Sequence, residues 1–442
     1  MQLKYAKDHL ADLGQQMLSL VAHYADEAEV SVSEVAESSV SIRDNQVEQC
    51  VSSHSHLMSL TVIKNKAVAN VSTTKMDLSE LKRMSEKAKS IVSVTQADAY
   101  AGLAPKELYV KGPSNFDAFY PWSISTSALV QYGQSIEESA QSIAGIKQVD
   151  GVELDLYHGA IWQGNTSGLS AFFKDSVYGA SATCLAKDGD RQVRDHAYTA
   201  ARNPEQLLPP DQLGISAAQQ TVARIGARSI PAQVVPVLFS NAMARQVLGQ
   251  FANAIFGSTL YRNASFLSDQ LGQPVFPKNI TIHQRPHLSA TMGSQYFDTD
   301  GVKTSDRCII DEGRLSSYLL GIYAARRMGM TSTGNADGIQ TWHVKDHQAL
   351  QFKDILSSMT KGLYVTEMMG SGTNLATGDY SRGIFGYWVE QGQIQFPVHE
   401  VTISGNLKDM FLNCQAIACD QVDRRGRIQT GPMLIEGMTV AG

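Results

Sequence analysis

Alternation of apolar and polar residues near the N-terminus restricts the fold of this chain more than any other feature. The segments are AEVSVSEV, SSVSIRDNQVEQCVSS and HLMSLTVIKNKAVANVST, with turn signals at Asp44 and Asn45 and at Lys64 and Asn65. A period of two places successive side chains on opposite faces of a strand. The pattern therefore predicts an antiparallel meander with one packed face and one solvated face.

Segments with helical spacing accompany these strands. Apolar residues recur every three or four positions over 9–25, 77–92 and 125–145, which predicts helices that cover the packed face. Asp77 and Glu80 have the spacing of a capping box at the start of the second helix.

The second half of the chain again mixes both patterns. A helix is predicted over 241–257, directly after the strand VVPVLF at 234–239, and a last helix over 406–418. We predict an α+β fold: two α/β domains built on largely antiparallel sheets with packed helices. The segment SIPAQVVPV places the boundary between an N-terminal domain, 1–228, and a C-terminal domain, 229–442.

Charge and cysteine usage exclude several classes of protein. The 37 Lys and Arg against 43 Asp and Glu give a net charge of −6, which argues against a nucleic-acid-binding protein. The 5 cysteines are odd in number and mostly far apart, as in reduced cytosolic proteins. No signal peptide or membrane-spanning apolar run is recognised, so a cytoplasmic protein without membrane association is expected.

Histidine pairs are the first candidates for a metal site. His54 and His56 share a face of a predicted strand, but no carboxylate or cysteine is expected beside them, and exposed strand histidines are predicted. His343 and His347, with Asp346 between them, would suit a metal only on a helix, whereas a loop or strand is predicted there. The other histidine and aspartate candidates are interpreted as structural residues or turns, and the two C-terminal cysteines as buried thiols: His283, His287, Asp298, Asp300, Cys414 and Cys419.

Two loops have a composition that suits binding of an extended peptide through its main chain. TSTGNADG (331–338) and GSGTN (370–374) offer small residues, backbone amides and asparagine side chains. Ordinary turn chemistry is the alternative interpretation. The candidate substrate-binding residues are Gly334, Asn335, Gly372, Thr373 and Asn374.

Longer motifs resemble one family along essentially the whole chain. The segments GSTLYRNASFLSDQLG, FDTDGVKTSDRCIIDEGRLSSYLLGIYAARRMGMTSTGNADG, NLATGDYSRGIFGYWVEQGQIQFPVHEVTISGNLKDMF and GPMLIEGMTVAG are similar to the PmbA/TldD family, once labelled modulators of DNA gyrase. The forms TGDYS and VTISGNL resemble its PmbA (TldE) branch. In the TldD branch, the helix before this region carries a zinc signature, His-Glu-x-x-x-His.

The resemblance places that signature on LGQFAN, where this chain lacks the required ligands. Leu248 and Asn253 stand at the two histidine positions, Gly249 stands at the glutamate position, and Cys419 comes several residues before the family's cysteine ligand. Zinc requires His, Cys or carboxylate donors, and a glycine cannot act as a general base. We therefore expect no catalytic residue, no metal and no cofactor in this chain.

The resemblance implies that the chain works with a TldD-like protein that carries the zinc. Such pairs are expected to form a heterodimer that cleaves unfolded or extended peptides, in peptide-antibiotic maturation and antitoxin turnover, with this chain as the non-catalytic partner. A homodimer in the absence of that partner is left open. The alternatives are an independent metallopeptidase that uses His343, His347 and Asp346, and a regulatory protein that binds gyrase.

Overall fold

The computed structural model of the protein describes residues 3–442 and has one long antiparallel sheet in its first half. The strand order is β3-β2-β1-β4-β5-β6. The strands are β1 Glu27–Arg43, β2 Gln46–Lys64, β3 Ala67–Thr73, β4 Ile146–Asn165, β5 Ser170–Asp188 and β6 Arg191–Ala201. The predicted meander is confirmed. The first alternating segment and the start of the second lie in β1, and the rest of the second forms the turn and the start of β2.

The turns of this meander follow from backbone conformation. Asp44 and Asn45 have φ angles of 51° and 58°, as a type I′ hairpin turn requires at both central positions. The next turn uses Asn65 and Lys66, with φ angles of 47° and 67°, one residue later than the sequence signal. Both turns match the right-handed twist of the strands that they join.

Four helices cover one face of the sheet. Inward-facing residues of β1, such as Val30 and Val32, pack against the first two helices, while Val40 and Ile42 pack against the other two. Asp77 caps the second helix by accepting a hydrogen bond from the Glu80 N–H, whereas the Glu80 carboxylate binds Thr73 and Arg83, so only half of the predicted capping box forms. The helices are α1 Lys7–Val21, α2 Leu78–Val94, α3 Thr126–Gln141 and α4 Pro210–Val222.

The second half contains two further sheets around a buried helix. One sheet has the order β10-β9-β8-β11-β16 and the other β14-β13-β12-β7-β17-β15; pairing of β14 with β17 closes the latter on itself. The strands are β7 Gln233–Phe239, β8 Ile280–Gln284, β9 Arg307–Asp311, β10 Arg314–Leu315, β11 Trp342–Asp346, β12 Lys361–Thr373, β13 Asp379–Glu390, β14 Gln393–Asn406, β15 Cys414–Ile417, β16 Ile428–Gln429 and β17 Met433–Ala441. The helices are α5 Asn241–Ala254, α6 Gly257–Leu260, α7 Ile322–Arg327, α8 Phe352–Ser358 and α9 Leu407–Leu412.

The predicted α+β class with mainly antiparallel sheets is confirmed, but the last predicted helix is wrong in its second half. Helix α9 ends at Leu412, and Cys414–Ile417 forms strand β15, which pairs with β17. A four-residue segment such as CQAI is too short for its periodicity to distinguish a helix from a strand. The pairing with β17 decides the outcome here.

The two halves interlock through the segment between α2 and α3. Tyr109, Val110 and Phe116 from this segment form a buried cluster with Phe297 and Val302 of the second half. The Val110 N–H also donates to the Gly301 carbonyl at 3.2 Å. This cluster lies on the face of the first sheet that the four helices leave open.

A partly buried carboxyl at this junction, that of Glu29, predicts a pH-dependent stability. Burial, followed by a smaller contribution from Asp300, raises the pKa of Glu29 to about 7. Its pKa in the unfolded chain is about 4.3, so the folded protein holds a proton that the unfolded chain has released between these values. The stability due to this proton is therefore lost as the pH rises towards 7.

Denaturant unfolding of the wild type and of Glu29→Gln from pH 5 to 8 measures this effect. We expect the variant to gain stability relative to the wild type by up to about 1.4 kcal/mol per pH unit between pH 5 and 7. The difference should be constant above pH 8. If the free energy of unfolding depended on pH in the same way in both proteins, the raised pKa would not belong to Glu29.

Candidate functional site

Helix α5 occupies the position where the resemblance places the zinc signature. Ser240 caps its start by accepting a hydrogen bond from the Met243 N–H at 3.4 Å. The helix lies between the two sheets of the second half, where Phe251 packs edge-to-face against Phe276 and Phe411 at ring-centroid distances of 5.3 and 5.5 Å. Apolar burial thus explains why this sequence forms a helix here.

The three positions of the signature point in different directions. Leu248 is 0% exposed in the core, Asn253 is exposed, and a Cβ added at Gly249 would meet no atom within 4 Å. Residues 5 apart in a regular α-helix lie about 140° apart around its axis. An aliphatic side chain, a glycine and a solvent-facing amide therefore do not fit a zinc ion at α5.

The alternative metal site on β11 does not form within residues 3–442. The two carboxylate oxygens of Asp346 accept hydrogen bonds from Asn279 Nδ2 and the Ile417 N–H, both at 2.9 Å. His347 Nε2 lies 3.0 Å from the hydroxyl of Thr281. The ligand atoms of His343, His347 and Asp346 are not gathered within 4.8 Å of one another, so this part of the structure holds a strand end rather than a ligand set.

The other histidine and aspartate candidates also have structural surroundings. His283 lies opposite His343 in the β8–β11 pair, and His287 Nε2 lies 2.8 Å from the Thr304 hydroxyl. Asp298 closes the expected turn, because its Oδ1 accepts the N–H groups of Asp300 and Val302 at 3.0 Å. Cys414 is buried as expected, whereas Cys419 is exposed, so the expectation of a buried thiol is wrong for Cys419.

The centre of the first predicted peptide-binding loop, residues 333–335, is buried. Asn335 is 0% exposed; its Nδ2 donates to Gln284 Oε1 and the Gly338 carbonyl at 2.8 Å, and its Oδ1 accepts from Thr333. Gly334 has a φ angle of +70°, and a Cβ there would lie 2.9 Å from the Lys303 carbonyl oxygen. These contacts assign both residues to the turn itself, and peptide binding by them stays a prediction.

The second predicted loop lies at the tip of the β12–β13 hairpin. Gly372 and Asn374 are exposed, and Thr373 Oγ1 accepts a hydrogen bond from Arg382 Nη2 at 2.8 Å. A Cβ at Gly372 would clash with the Ser381 carbonyl oxygen, so a bulky residue there would distort the hairpin. Peptide binding at this tip also remains a prediction.

A cleft between the two halves was missed by sequence reasoning. It has a volume of about 970 Å³. Sequence reasoning could not find it, because its walls come from segments that are far apart in the chain. Its lining includes Ala201 and Gln206 of the first half, and Met292, His343, Lys345, Cys419, Arg424 and Arg425 of the second half.

The cleft has a basic lining. Arg425 is held by Asp423 at 2.9 Å, and Asp423 also pairs with Arg245 at 2.8 Å. Lys345 and Arg424 are exposed and form no ion pair among the described residues. Burial, followed by the charges of Arg285 and Lys345, lowers the pKa of His343. The cleft can therefore attract carboxylate groups of an extended chain.

Comparisons with known proteins agree with this architecture along the whole chain. Three family models match in order: PmbA/TldA metallopeptidase domain 1 at residues 28–92, the central domain at 119–225 and the C-terminal domain at 232–442. These models define a metallopeptidase class of fold. The chain belongs to the PmbA/TldD family.

Individual relatives place the chain near the PmbA members. It is 35% identical to the Metalloprotease PmbA of Escherichia coli O157:H7 over 442 residues, covering 100% of this chain and 98% of the relative. It is 35% identical to a Metalloprotease PmbA homolog of Haemophilus influenzae over 416 residues, covering 94% of this chain and 92% of that protein.

Solved structures show the same fold. A putative modulator of DNA gyrase from Bacteroides thetaiotaomicron superposes with a TM-score of 0.93 at 22% identity, covering 98% of this chain and 99% of the other. TldE from Thermococcus kodakarensis gives a TM-score of 0.83 at 17% identity, with coverage of 97% and 100%. Within residues 3–442, no helix combines the length and the apolar character that crossing a bilayer requires.

Proposed function

We propose that this chain is the non-catalytic subunit of a TldD/TldE-type metallopeptidase complex that cleaves unstructured peptides. One observation carries the proposal: at α5 the chain has a buried Leu248, a bare Gly249 and an exposed Asn253. Without a zinc ligand there is no metal-bound water of lowered pKa to attack a peptide bond. A TldD-like partner would supply the zinc and the catalytic residues, in a cytoplasmic heterodimer.

The basic cleft supports a role in holding the substrate. Lys345 and Arg424 line a cleft of about 970 Å³, a volume that suits a short extended peptide segment rather than a folded domain. We infer that this cleft forms one wall of a peptide chamber that the partner completes. Peptide-antibiotic precursors and labile antitoxins are the substrate classes that fit an unfolded-chain requirement.

Reconstitution tests the proposal directly. This chain, a TldD-like chain from the same cell and an equimolar mixture are incubated with an unfolded peptide, and cleavage is followed by mass spectrometry. We expect cleavage by the mixture that a chelator abolishes, and none by this chain alone. A mixture in which the TldD-like chain carries substitutions in its zinc signature is the matched control and should be inactive.

Two outcomes would favour the rival functions. Chelator-sensitive cleavage by this chain alone would make it an independent metallopeptidase. Capture of gyrase rather than a TldD-like chain from native extract would favour a gyrase-binding regulator, which the name of the Bacteroides thetaiotaomicron structure suggests for that protein. The metal content of the purified chain does not decide between these functions, because a bound metal can be structural. The cleavage assay is needed to show whether the chain is catalytic.

A further inference from the structure

A charged residue occupies a core position on the covered face of the first sheet. The neighbouring inward positions of β1 are apolar, as at Val30, Val32 and Ala36, yet Glu34 in the same row is 0% exposed. A carboxylate removed from water in this way is costly unless several groups compensate for the lost hydration.

Two histidines of β2 lie next to this carboxylate. In the β1–β2 pair, His56 is directly opposite Glu34, and His54 is opposite Ala36. The Nε2 atom of His54 lies 2.6 Å from Glu34 Oε1, and that of His56 lies 4.0 Å from the same oxygen. The sequence-based expectation that no carboxylate sits beside these histidines is therefore wrong. Their side chains are only 19% exposed, so they are not exposed strand histidines either.

The position of His56 leaves one nitrogen unexplained. Its Nε2 is buried and has no hydrogen-bond partner within the described residues. The ring is held in place by Tyr5 on one side and by His54 on the other, each at a ring-centroid distance of 4.6 Å. Buried polar atoms almost always have a partner, and an exception points to a bound water or ion.

The geometry points to a binding site for a divalent transition metal of the Zn²⁺ class, formed by Glu34, His54 and His56. Their ligand atoms lie within 4.8 Å of one another. Zinc-to-ligand bonds of roughly 2.0–2.1 Å place neighbouring tetrahedral ligands about 3.3 Å apart. The observed separations of 2.6 and 4.0 Å lie on either side of that value, so small rotations of the imidazole rings would complete the site.

The donor set determines which ions fit. Two imidazole nitrogens and one carboxylate suit Zn²⁺ and its neighbours in the first transition row, whereas Mg²⁺ and Ca²⁺ prefer oxygen ligands only. Three protein ligands leave one position for water. The partial exposure of both histidine rings provides a path for the ion to enter.

The site would fasten the N-terminal segment to the sheet. Glu34 Oε1 accepts a hydrogen bond from the Lys4 N–H at 2.5 Å, and Oε2 accepts one from the Tyr5 N–H at 3.1 Å. Hydrogen bonds of this kind orient a metal-binding carboxylate. The bound ion would therefore hold the residues before α1 against β1 and β2. This role is independent of peptide cleavage, because the site lies in the first half, away from α5.

Metal titration of the full chain tests the site. After treatment with EDTA and its removal, the protein is titrated with ZnCl₂ by calorimetry at pH 7.5, and with CoCl₂ by absorption spectroscopy. We expect one Zn²⁺ per chain with a micromolar or lower Kd, and visible Co²⁺ bands of tetrahedral coordination. The double variant His54→Ala/His56→Ala should bind at least about 100-fold more weakly, since even outer partners of a metal contribute 10–100-fold.

Two controls separate loss of the site from loss of the fold. His196→Ala removes a side chain that is 56% exposed on β6, and it should bind Zn²⁺ as the wild type does. Circular dichroism in EDTA should give similar spectra for all variants, and Zn²⁺ should raise the Tm of the wild type but not of the double variant. Absence of stoichiometric binding by the wild type would overturn the proposal, and so would undiminished binding by the double variant.

Discussion

Replacing Arg202 by methionine is expected to lower the free energy of unfolding by about 2–4 kcal/mol, because it breaks a largely buried ion pair and leaves several hydrogen-bond acceptors without a donor. Arg202 is 5% exposed and pairs with Asp175 at 2.9 Å. Its Nε also donates to the Thr291 carbonyl at 2.8 Å, and its Nη2 donates to the Ser294 carbonyl at 3.0 Å. Methionine has a similar length but donates no hydrogen bond, so these acceptors would remain buried and unpaired.

Loss of the Arg202 hydrogen bonds should also affect the cleft between the two halves. Thr291 and Met292 line that cleft, and the carbonyls of both accept hydrogen bonds from Arg202. We therefore expect Arg202→Met to reduce peptide cleavage by the reconstituted mixture at temperatures where the variant is still folded.

A surface ion pair supplies the matched control for Arg202. Arg194 pairs with Asp150 at 3.2 Å with side chains 65% and 31% exposed, and such pairs contribute about 0–1 kcal/mol. Urea unfolding of both variants compares the two cases. If both variants, Arg202→Met and Arg194→Met, lost the same free energy of unfolding, the hydrogen bonds of Arg202 would not be what holds the two halves together.

The first sheet shows how far sequence reasoning reaches and where it stops. Alternation and the turn at Asp44 and Asn45 predict the β1–β2 hairpin, but a turn at that position alone would place Glu34 opposite Ser55. A β-bulge between Ser41 and Ile42 shifts the register by one residue, so that Glu34 lies opposite His56. A shift of one residue exchanges the faces of a strand, and the sequence carries no clear signal for it.

One signal for the Glu34 cluster was nevertheless present in the sequence. Glu34 interrupts a row in which Val30, Val32, Ala36 and Val40 predict the packed face. A charged residue at such a position requires a partner, and histidines of the neighbouring strand are candidates. In contrast, the cleft depends on contacts between residues near 201, 343 and 424, whose proximity no local pattern encodes.

Helix α5 shows a further limit of motif comparison. The family motif identifies the positions of Leu248, Gly249 and Asn253, but only the structure shows that the first faces the core and the last faces solvent. At the positions where the resemblance places the zinc ligands, the helix therefore has apolar packing on one side. Restoring the ligand types would have to overcome that packing.

Leu248→His is accordingly expected to lower the free energy of unfolding by about 2–5 kcal/mol, because it removes core packing and buries an imidazole without a partner. The matched control is Gly249→Glu/Asn253→His, which changes the other two signature positions. Gly249 has open space for a side chain and Asn253 is exposed, so this double variant should stay within about 1 kcal/mol of the wild type. Urea unfolding measures both.

The triple variant with all three substitutions separates packing from chemistry. A regular α5 holds positions 248 and 253 about 140° apart, so two imidazoles there would not meet at one ion unless the helix were locally widened. We therefore expect the triple variant to bind no more Zn²⁺ than the wild type and to cleave no peptide alone. A stably folded triple variant with an additional equivalent of Zn²⁺ and chelator-sensitive cleavage would show that only the ligands, and not the packing of α5, separate this chain from a catalytic subunit.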